Sequence, residues 1–356
     1  MDIIEIRNML HKHPDVSGCE EFANNLIVEE LRKLNPTELN TNVGGYGVVV
    51  YWKAQRDDAK TIAFRADIDA LPIGHRCGHD GHTAIMLRFA EIVASTELKY
   101  NIVLIFQPEE ETGKGAKKIV DSGLLDKYNV EAVFGLHNLP GYAKGTVVLN
   151  RTTFAAASCG VIYRFRGRET HASTPEKGLN PGLAIAEMIQ RMDRLNNYNV
   201  NGLQLSTLIC CRVGEEAFGT SAGKGEVMFT LRTFTNGGML DLMKAADEIA
   251  LDVAQKAGLE LEKQMREPFR ATENTTEIVE LLYRILSQHN NVQYASAPFR
   301  WSEDFAEYLL KYRGAFFGLG SGENQPELHH PSYDFPDDII ETGAQCFRTI
   351  MNNIVI

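Results

Sequence analysis

The stretch Arg76-Cys77-Gly78-His79-Asp80-Gly81-His82 places a thiol, two imidazoles and a carboxylate within seven residues. Thiolate, neutral imidazole and carboxylate are the groups through which proteins bind zinc and its first-row neighbours, and the two glycines let the backbone turn tightly around an ion. The stretch therefore predicts a metal site. A polar turn before a helix is the alternative interpretation of the same residues.

Three other stretches with ligand-type side chains follow apolar runs that have the character of buried strands. They are Glu109-Glu110-Glu111 after residues 101–107, His137 after residues 131–136, and His329, a short loop beyond residues 314–320. Open α/β sheets place their sites just beyond the carboxyl ends of such strands. We therefore expect the four stretches to meet at one edge of a sheet.

The order of the predicted elements divides the chain into two domains. Residues 1–152 and 267–356 alternate apolar strands with amphipathic helices, which is typical of a parallel sheet with crossover connections. Residues 153–266 have the order strand, helix, two strands, helix, strand. The prediction is an α/β fold with a mostly parallel sheet flanked by helices and an inserted ferredoxin-like α+β domain. Elements that bear on the site are helices at 82–95 and 304–311 and a strand at 132–136.

Composition limits the class of protein and its partners. With 356 residues and 44% hydrophobic content, the chain is long enough for two domains with full cores. A formal net charge of −11 without a basic run argues against a nucleic-acid partner, and no stretch has the length of a membrane span. The six cysteines have no repeating spacing, and the first residues do not form a secretory signal. We expect a cytoplasmic protein with free thiols and a small-molecule substrate.

The candidate ligands are numerous enough for two metal ions. Two ions a few ångströms apart need about four to six protein ligands. The sequence supplies Cys77, His79, Glu111, His137 and His329. The glutamate run contains more carboxylates than the metals require, which indicates that one is a ligand and its neighbour a general base for water. A solvated acidic loop is the alternative for three consecutive glutamates.

Two further candidates lie in the predicted inserted domain. His171 belongs to residues 170–175, whose small side chains and proline describe a tight turn able to present the imidazole as an oxyanion donor. Arg232, on a predicted strand, has the planar guanidinium that pairs with a substrate carboxylate. A surface histidine and an exposed strand arginine are the alternatives.

With these residues identified, the sequence resembles the metal-dependent amidohydrolases that include hippurate hydrolases, auxin-conjugate hydrolases, N-acetyl-diaminopimelate deacetylases and, more distantly, aminoacylase and carboxypeptidase G. The resemblance runs nearly from end to end. The motifs on which it rests are Leu10–Asp15, Arg65–Ile73, Cys77–His82, Phe106–Glu111, Gly135–His137, Thr170–Ala172, Ser302–Phe305 and Leu328–Pro331.

The resemblance implies a function and assigns roles to the candidate residues. It implies a zinc-aminopeptidase-like catalytic domain that hydrolyses the amide bond of N-acyl amino acids with two divalent metal ions, which are Zn, Mn, Co or Ni. The inserted block would be a lid domain that mediates homodimers. By the family pattern, Glu110 is the general base and His171 is lent to the partner's site. The implied metal ligands are Cys77, His79, Glu111, His137 and His329.

The chain departs from the family pattern in regions expected to shape the substrate pocket. Only Gly74-His75-Arg76 separates the Ala-Leu-Pro-Ile motif from Cys77, where relatives have a longer segment. Gly219 stands where relatives often have an asparagine, and Glu176 stands where they have a histidine. We therefore expect the usual hippurate-like or acetyl substrates to be poor ones.

Three other functions are compatible with parts of the sequence. A cysteine hydrolase would use Cys77 as nucleophile and His79 or His82 as base, which leaves the remaining ligand candidates without a role. A binding protein of the same fold would keep the site without turnover. A dipeptidase or carboxypeptidase would use the same site and differ only in what the pocket admits.

Overall fold

The chain leaves its first structural unit after Phe154 and returns to it at Thr272. The computed structural model describes residues 2–199 and 202–356. The first unit comprises Met1–Phe154, Thr272–Ser296 and Glu303–Ile356, and the second comprises Ala155–Ala271 and Ala297–Ser302. The second unit thus takes in residues 297–302, which the sequence did not associate with the predicted inserted block of residues 153–266.

Strands and helices follow one another closely along the described chain. The strands are β1 (Glu38–Val43), β2 (Gly47–Trp52), β3 (Thr61–Asp67), β4 (Asn101–Gln107), β5 (Val130–Pro140), β6 (Val147–Leu149), β7 (Ala157–Arg166), β8 (Thr170–His171), β9 (Gln204–Val213), β10 (Thr220–Ser221), β11 (Lys224–Thr233), β12 (Glu260–Phe269), β13 (Val292–Tyr294) and β14 (Arg313–Gly322). The helices are α1 (Ile3–Lys12), α2 (Glu21–Arg32), α3 (His79–Ala94), α4 (Gly115–Asp121), α5 (Leu124–Lys127), α6 (Gly182–Asp193), α7 (Asn236–Ala257), α8 (Thr276–Leu286), α9 (Ala306–Leu309) and α10 (Ile340–Asn353). Short 3-10 turns lie at Pro175–Lys177 and Asp337–Ile339.

The first unit is built on an eight-stranded sheet whose four central strands are parallel. The strand order is β1-β2-β4-β3-β5-β14-β6-β13. Strands β4, β3, β5 and β14 pair in parallel, whereas β1, β2 and the β14–β6 contact are antiparallel. The chain passes from β3 to β4 on one side and later to β5 on the other, so the strand order reverses at β3. In open α/β sheets, the crevice at such a reversal is where sites form.

Aromatic packing fixes the helix that begins at the site. Strand β3 is buried along its whole length, as expected for a central strand of a parallel sheet. The ring of Phe64 on β3 lies 4.7 Å from that of Phe89 on α3 and 5.2 Å from that of Phe347 on α10, between centroids. These contacts hold α3 against the centre of the sheet, so the first turn of α3 has a fixed position.

The second unit contains a four-stranded antiparallel sheet with two helices. Its strand order is β12-β7-β11-β9, and its three pairings are antiparallel. Helix α6 connects β7 to β9, and α7 connects β11 to β12, which is the ferredoxin-like order that the sequence predicts. Val161, Tyr163 and Phe165 alternate along β7 into a core that includes residues of both helices. Strand β9 lies at one edge of this sheet.

Some predicted boundaries were wrong, and two of these errors concern candidate ligands. Helix α3 begins at His79 rather than at residue 82, because Gly78 (φ 96°) is its N-cap and the Gly78 carbonyl accepts the backbone N–H of His82 at 3.1 Å. Strand β5 continues to Pro140 because it pairs with β14 beyond the predicted end, so His137 lies inside a strand and not after one.

Two further findings concern helices. The predicted helix at 304–311 shortens to Ala306–Leu309, because Glu303 accepts the backbone N–H of Phe305 and holds the preceding residues outside the helix. None of the helices in the described part of the chain combines the length and the apolar character that a bilayer crossing requires.

Candidate metal centre

Four adjacent parallel strands deliver the candidate ligands to one edge of the sheet in the first unit. Because β4, β3, β5 and β14 run in the same direction, their carboxyl ends lie side by side. The loop after β3 leads to Cys77 and His79, β4 leads to the three glutamates, and the loop after β14 leads to His329. His137 projects from β5 itself. The sheet order therefore brings together residues from four distant parts of the chain.

The five predicted metal ligands form two groups that share one residue. The donor atoms of Cys77, His79 and His137 lie within 4.8 Å of one another, and so do those of Cys77, Glu111 and His329. The Cys77 sulfur is 3.6 Å from His137 Nε2. Glu111 Oε1 is 3.9 Å from His79 Nε2 and 3.6 Å from His329 Nε2. The Cys77 sulfur therefore belongs to both groups of candidate donors.

Hydrogen bonds determine which nitrogen of each buried imidazole is available to a metal. The Nδ1–H group of His79 donates to the carbonyl of Asp69 at 2.9 Å, and that of His137 donates to the carbonyl of Asn138 at 2.9 Å. Each ring therefore directs Nε2 into the site, as is typical of metal-binding histidines. Within the described residues, His79 Nε2 and Glu111 Oε1 are buried without a hydrogen-bond partner. Such atoms are rare in proteins, and a bound cation would satisfy both.

The protonation states of the metal-free site reflect an excess of negative charge. Burial raises the pKa of the Cys77 thiol, and the neighbouring carboxylate of Glu111 raises it further. Burial alone would lower the pKa of His79, but Asp67 and Asp69 outweigh burial and raise this pKa to about 10. Burial also raises the pKa of Glu111 to about 7. These shifts have one physical cause, which is the crowding of several acidic groups in a buried place, and divalent cations bound there would neutralise that negative charge.

Glu110 lies beside the two groups that share Cys77. Its Oε2 is 4.0 Å from His79 Nε2, and its carboxyl group is buried. Burial, together with the negative charges of Glu303 and Glu111, raises the pKa of Glu110 well above its usual value. Glu110 therefore combines burial, a raised pKa and a position close to the candidate donor His79.

A buried arginine, whose role the sequence did not reveal, balances part of this acidic cluster. Arg65 on β3 is fully buried and donates to Asp67 at 2.7 Å and to Glu303 and Asp304 at 2.9 Å each. Its Nε also donates to Gln107 Oε1 at 2.8 Å. Arg65 and Glu303 both lie in the motifs that carry the family resemblance, and this was the only indication in the sequence that they have a role at the site. Their contact joins positions 238 residues apart, which local sequence patterns do not specify.

His82, the second imidazole of the stretch at residues 76–82, has both ring nitrogens engaged. Its Nδ1–H donates to Asp67 Oδ1 at 2.5 Å, and its Nε2 accepts the backbone N–H of Asn138 at 3.1 Å. His82 therefore positions neighbouring groups and has no lone pair left for a metal.

His171 and Arg232, the two candidates of the inserted domain, lie in the second unit. His171 is exposed, and its Nδ1 accepts the backbone N–H of Ser173 at 3.1 Å. The neutral ring therefore carries its proton on Nε2, the donor that an oxyanion stabiliser requires. Arg232 Nη1 donates to the carbonyl of Arg300 at 2.6 Å and to the hydroxyl of Ser302 at 3.0 Å. Binding of a substrate by Arg232 stays a prediction.

Known proteins resemble this chain over nearly its whole length. The model of peptidase family M20/M25/M40 matches residues 63–353. An uncharacterized hydrolase of Staphylococcus aureus is 28% identical to this chain over an alignment of 379 residues. The alignment covers 98% of this chain and 96% of the relative. An uncharacterized hydrolase of Staphylococcus haemolyticus is also 28% identical to this chain, and the alignment covers 97% of this chain and 96% of the relative.

Solved structures share the fold. The crystal structure of a protein from methicillin-resistant Staphylococcus aureus matches with a TM-score of 0.91 at 26% identity, and the match covers 99% of this chain and 96% of that one. The YXEP protein of Bacillus subtilis, described as a dinuclear metal binding peptidase, matches with a TM-score of 0.86 at 24% identity, over 99% and 98% of the two chains. The predicted fold class is thereby confirmed.

Proposed function

We propose that this chain, which belongs to peptidase family M20/M25/M40 and is a metal-dependent hydrolase, cleaves the amide bond of N-acyl amino acids. The observation that carries the proposal is the pair of ligand groups that share Cys77, with the buried carboxyl group of Glu110 beside them. The resemblance of the motifs to hydrolases of N-acyl amino acids supports the substrate class.

The donor set fits two divalent ions. Cys77, His79 and His137 would hold one ion, and Cys77, Glu111 and His329 would hold the second. A thiolate, three imidazoles and a carboxylate suit zinc and the neighbouring first-row metals, and we propose Zn, Mn, Co or Ni. When bound, such ions supply Lewis acidity to a water molecule and to the substrate carbonyl. The description of the YXEP protein as dinuclear supports the number of ions.

The residues of the chain divide the remaining work of hydrolysis. Glu110 accepts the proton of the attacking water and delivers it to the nitrogen of the leaving amine. Negative charge develops on the former carbonyl oxygen, and the exposed Nε2–H of His171 from a partner chain donates to it. Arg232 pairs with the carboxylate of the amino-acid product through its remaining guanidinium nitrogens.

We also propose that the active form is a homodimer joined through the second unit. Its edge strand β9 exposes the side chains of Leu208, Ile209 and Val213. Proteins rarely leave a long apolar edge strand open, and pairing with a copy about a twofold axis would cover it. The same assembly would allow His171 of each chain to serve the partner's site.

The residues around the shortened segment at 74–76 support a changed substrate pocket. The segment is a tight turn in which Gly74 N–H donates to the carbonyl of Leu71 at 2.8 Å. The carbonyl of Arg76 accepts the N–H of His329 at 2.8 Å, so the segment supports a ligand directly. Because this segment departs from the family pattern beside a candidate ligand, we propose that hippurate and simple acetyl substrates are poor ones. Gly219, which offers no side-chain amide, supports the same expectation.

Hydrolysis of dipeptides or of terminal residues of peptides is the second candidate function. It is favoured by the peptidase description of the family and of the YXEP protein. We place the reaction in the cytoplasm, which rests on the sequence alone.

The test of substrate class is a panel of N-acyl amino acids and dipeptides, assayed with protein reconstituted with Mn, Co, Zn or Ni. We expect an N-acyl amino acid other than hippurate to have the highest kcat/KM and the chelated protein to be inactive. If a dipeptide is preferred, the second candidate replaces the first. Full activity of protein shown to be metal-free by elemental analysis would overturn both.

The test of the general base is Glu110→Gln. This change keeps the size of the side chain but removes the proton acceptor, so kcat should fall by roughly 10²-fold or more with metal content unchanged. Glu111→Gln is the matched control, because it should lower metal content instead. Loss of metal from Glu110→Gln would show that the roles of the two glutamates are reversed.

A further inference from the structure

We propose that Glu20, at the start of α2, is a positioning residue for the turn Glu109–Glu111, which we call the glutamate turn. This inference rests on the proposed roles of Glu110 and Glu111. It assigns a function to the segment 15–20, which contains neither a candidate metal ligand nor the general base.

The geometry joins Glu20 directly to the backbone of the glutamate turn. Glu20 is fully buried. Its Oε1 accepts the backbone N–H of Glu109 at 2.9 Å and that of Gly18 at 2.7 Å. One carboxylate oxygen therefore links the N-terminal segment to the residue from which the turn begins.

The glutamate turn needs such a contact because its first residue has an unfavourable backbone conformation. Glu109 has a φ of 52°, in the left-handed region that non-glycine residues rarely adopt. Such a conformation persists only where surrounding contacts hold it. The N–H of Glu109 is buried, so without Glu20 it would lose its acceptor and the turn would lose this restraint.

A second carboxylate holds the other end of the glutamate turn. Asp69 Oδ2 accepts the backbone N–H of Glu111 at 3.1 Å and the hydroxyl hydrogen of Ser17 at 2.6 Å. Glu20 and Asp69 thus hold the backbone N–H groups on either side of Glu110. Each carboxylate also bonds to the segment 15–20, Glu20 to Gly18 and Asp69 to Ser17. Displacing one end of the turn would move the Glu110 and Glu111 side chains relative to Cys77 and His79.

The acceptor atom, rather than the charge, does the positioning. Oε1 makes both hydrogen bonds, and the other oxygen, Oε2, is buried without a partner within the described residues. Burial raises the pKa of Glu20, which is consistent with a group whose charge is not required. Glutamine keeps an oxygen in the place of Oε1, whereas aspartate is one methylene shorter and alanine has no acceptor.

The experiment compares Glu20→Gln, Glu20→Asp and Glu20→Ala in the full-length, metal-loaded enzyme. We measure kcat and KM on the best substrate of the panel and, independently of activity, the rate at which a colorimetric chelator removes metal. Glu20→Ala should lower kcat by up to roughly 10²-fold with little change in KM, since the base and the water lose their alignment. Metal should be lost about tenfold faster, because the backbone that carries Glu111 is no longer held. Glu20→Asp should behave like Glu20→Ala, and Glu20→Gln like the wild type.

Asn101→Ala is the matched control for loss of stability alone. Asn101 lies at the opposite end of β4 and bonds to the N–H of Ala54 at 2.9 Å and the carbonyl of Ala59 at 2.8 Å. This variant should lower the melting temperature while leaving kcat and metal retention unchanged. If Glu20→Ala does not fold, the comparison of Glu20→Asp with Glu20→Gln decides.

Two results would overturn the assignment. One is a folded Glu20→Ala or Glu20→Asp protein with wild-type kcat and metal retention, and the other is a Glu20→Gln protein as impaired as Glu20→Ala. Neither result would contradict the proposed function if Glu110→Gln still shows the expected loss of kcat. If Glu110→Gln is active while the Glu20 variants lose metal faster, the role of Glu110 is wrong and the positioning of Glu111 stands.

Discussion

Loading the metal-free protein with metal at pH 8 should release about two protons per chain, one from Cys77 and one from His79. Both groups must lose their proton to become ligands. With a pKa of about 10, His79 keeps its proton at pH 8 in nearly all metal-free molecules. The raised pKa of Cys77 keeps its thiol protonated as well. Glu111, with a pKa of about 7, is mostly ionised already and adds about 0.1 proton.

The size of the effect follows from the pKa of His79. Each pH unit below the pKa costs about 1.4 kcal/mol, so holding His79 neutral at pH 8 costs about 2.7 kcal/mol of metal-binding free energy. Raising the pH removes the competing protons, so metal affinity should increase with pH, by about tenfold per unit for each proton displaced. For His79 this increase should stop near pH 10.

The assay is titration calorimetry of the metal into chelated, dialysed protein in two buffers with different enthalpies of ionisation. The difference in observed heat gives the number of protons released. Cys77→Ser is the control and should release one proton fewer, because a serine hydroxyl stays protonated at this pH. A wild-type value of one proton or fewer would show that the pKa of His79 is not raised, because a histidine of ordinary pKa is already neutral at pH 8.

Three further predictions concern stability and assembly. Arg65→Met should lower the free energy of unfolding by about 3–5 kcal/mol in urea titrations, since it leaves three buried carboxylates without their cation; a loss below about 1 kcal/mol would contradict the contacts described. Gly81→Ala should lower the free energy of unfolding by about 1–3 kcal/mol, because the added Cβ would lie 2.2 Å from the ring of Phe335. Gly237→Ala is the control and should be neutral or stabilising in the same titration, because the space around Gly237 is open. Mixed after denaturation and refolding, inactive His171→Ala and Glu110→Gln chains should recover up to about half of wild-type activity per heterodimer, and heterodimers without activity would place His171 in its own chain or outside the reaction.

From the sequence, the fold class and the types of metal-donor side chains could be predicted. Thiol, imidazole and carboxylate groups can be identified as metal donors from residue type alone. The apolar periodicity that predicts strands and helices is a local property of the sequence. Cys77, His79 and Glu111 could therefore be predicted as neighbours at a sheet edge, and the ferredoxin-like order of the inserted block could be predicted from its run of elements. The ends of those elements were less certain, because pairing with β14 rather than local propensity carries β5 past His137.

Which of these groups are in contact depends on the tertiary structure. The sharing of Cys77 between two donor groups, and the use of both His82 nitrogens by Asp67 and Asn138, depend on distances that the strand order sets. The contacts of Arg65 with Glu303 and of Glu20 with the backbone of Glu109 join segments far apart in the chain. Local sequence patterns do not specify such pairs, because the strength of each hydrogen bond depends on burial and on backbone angles that arise only when the sheet has assembled.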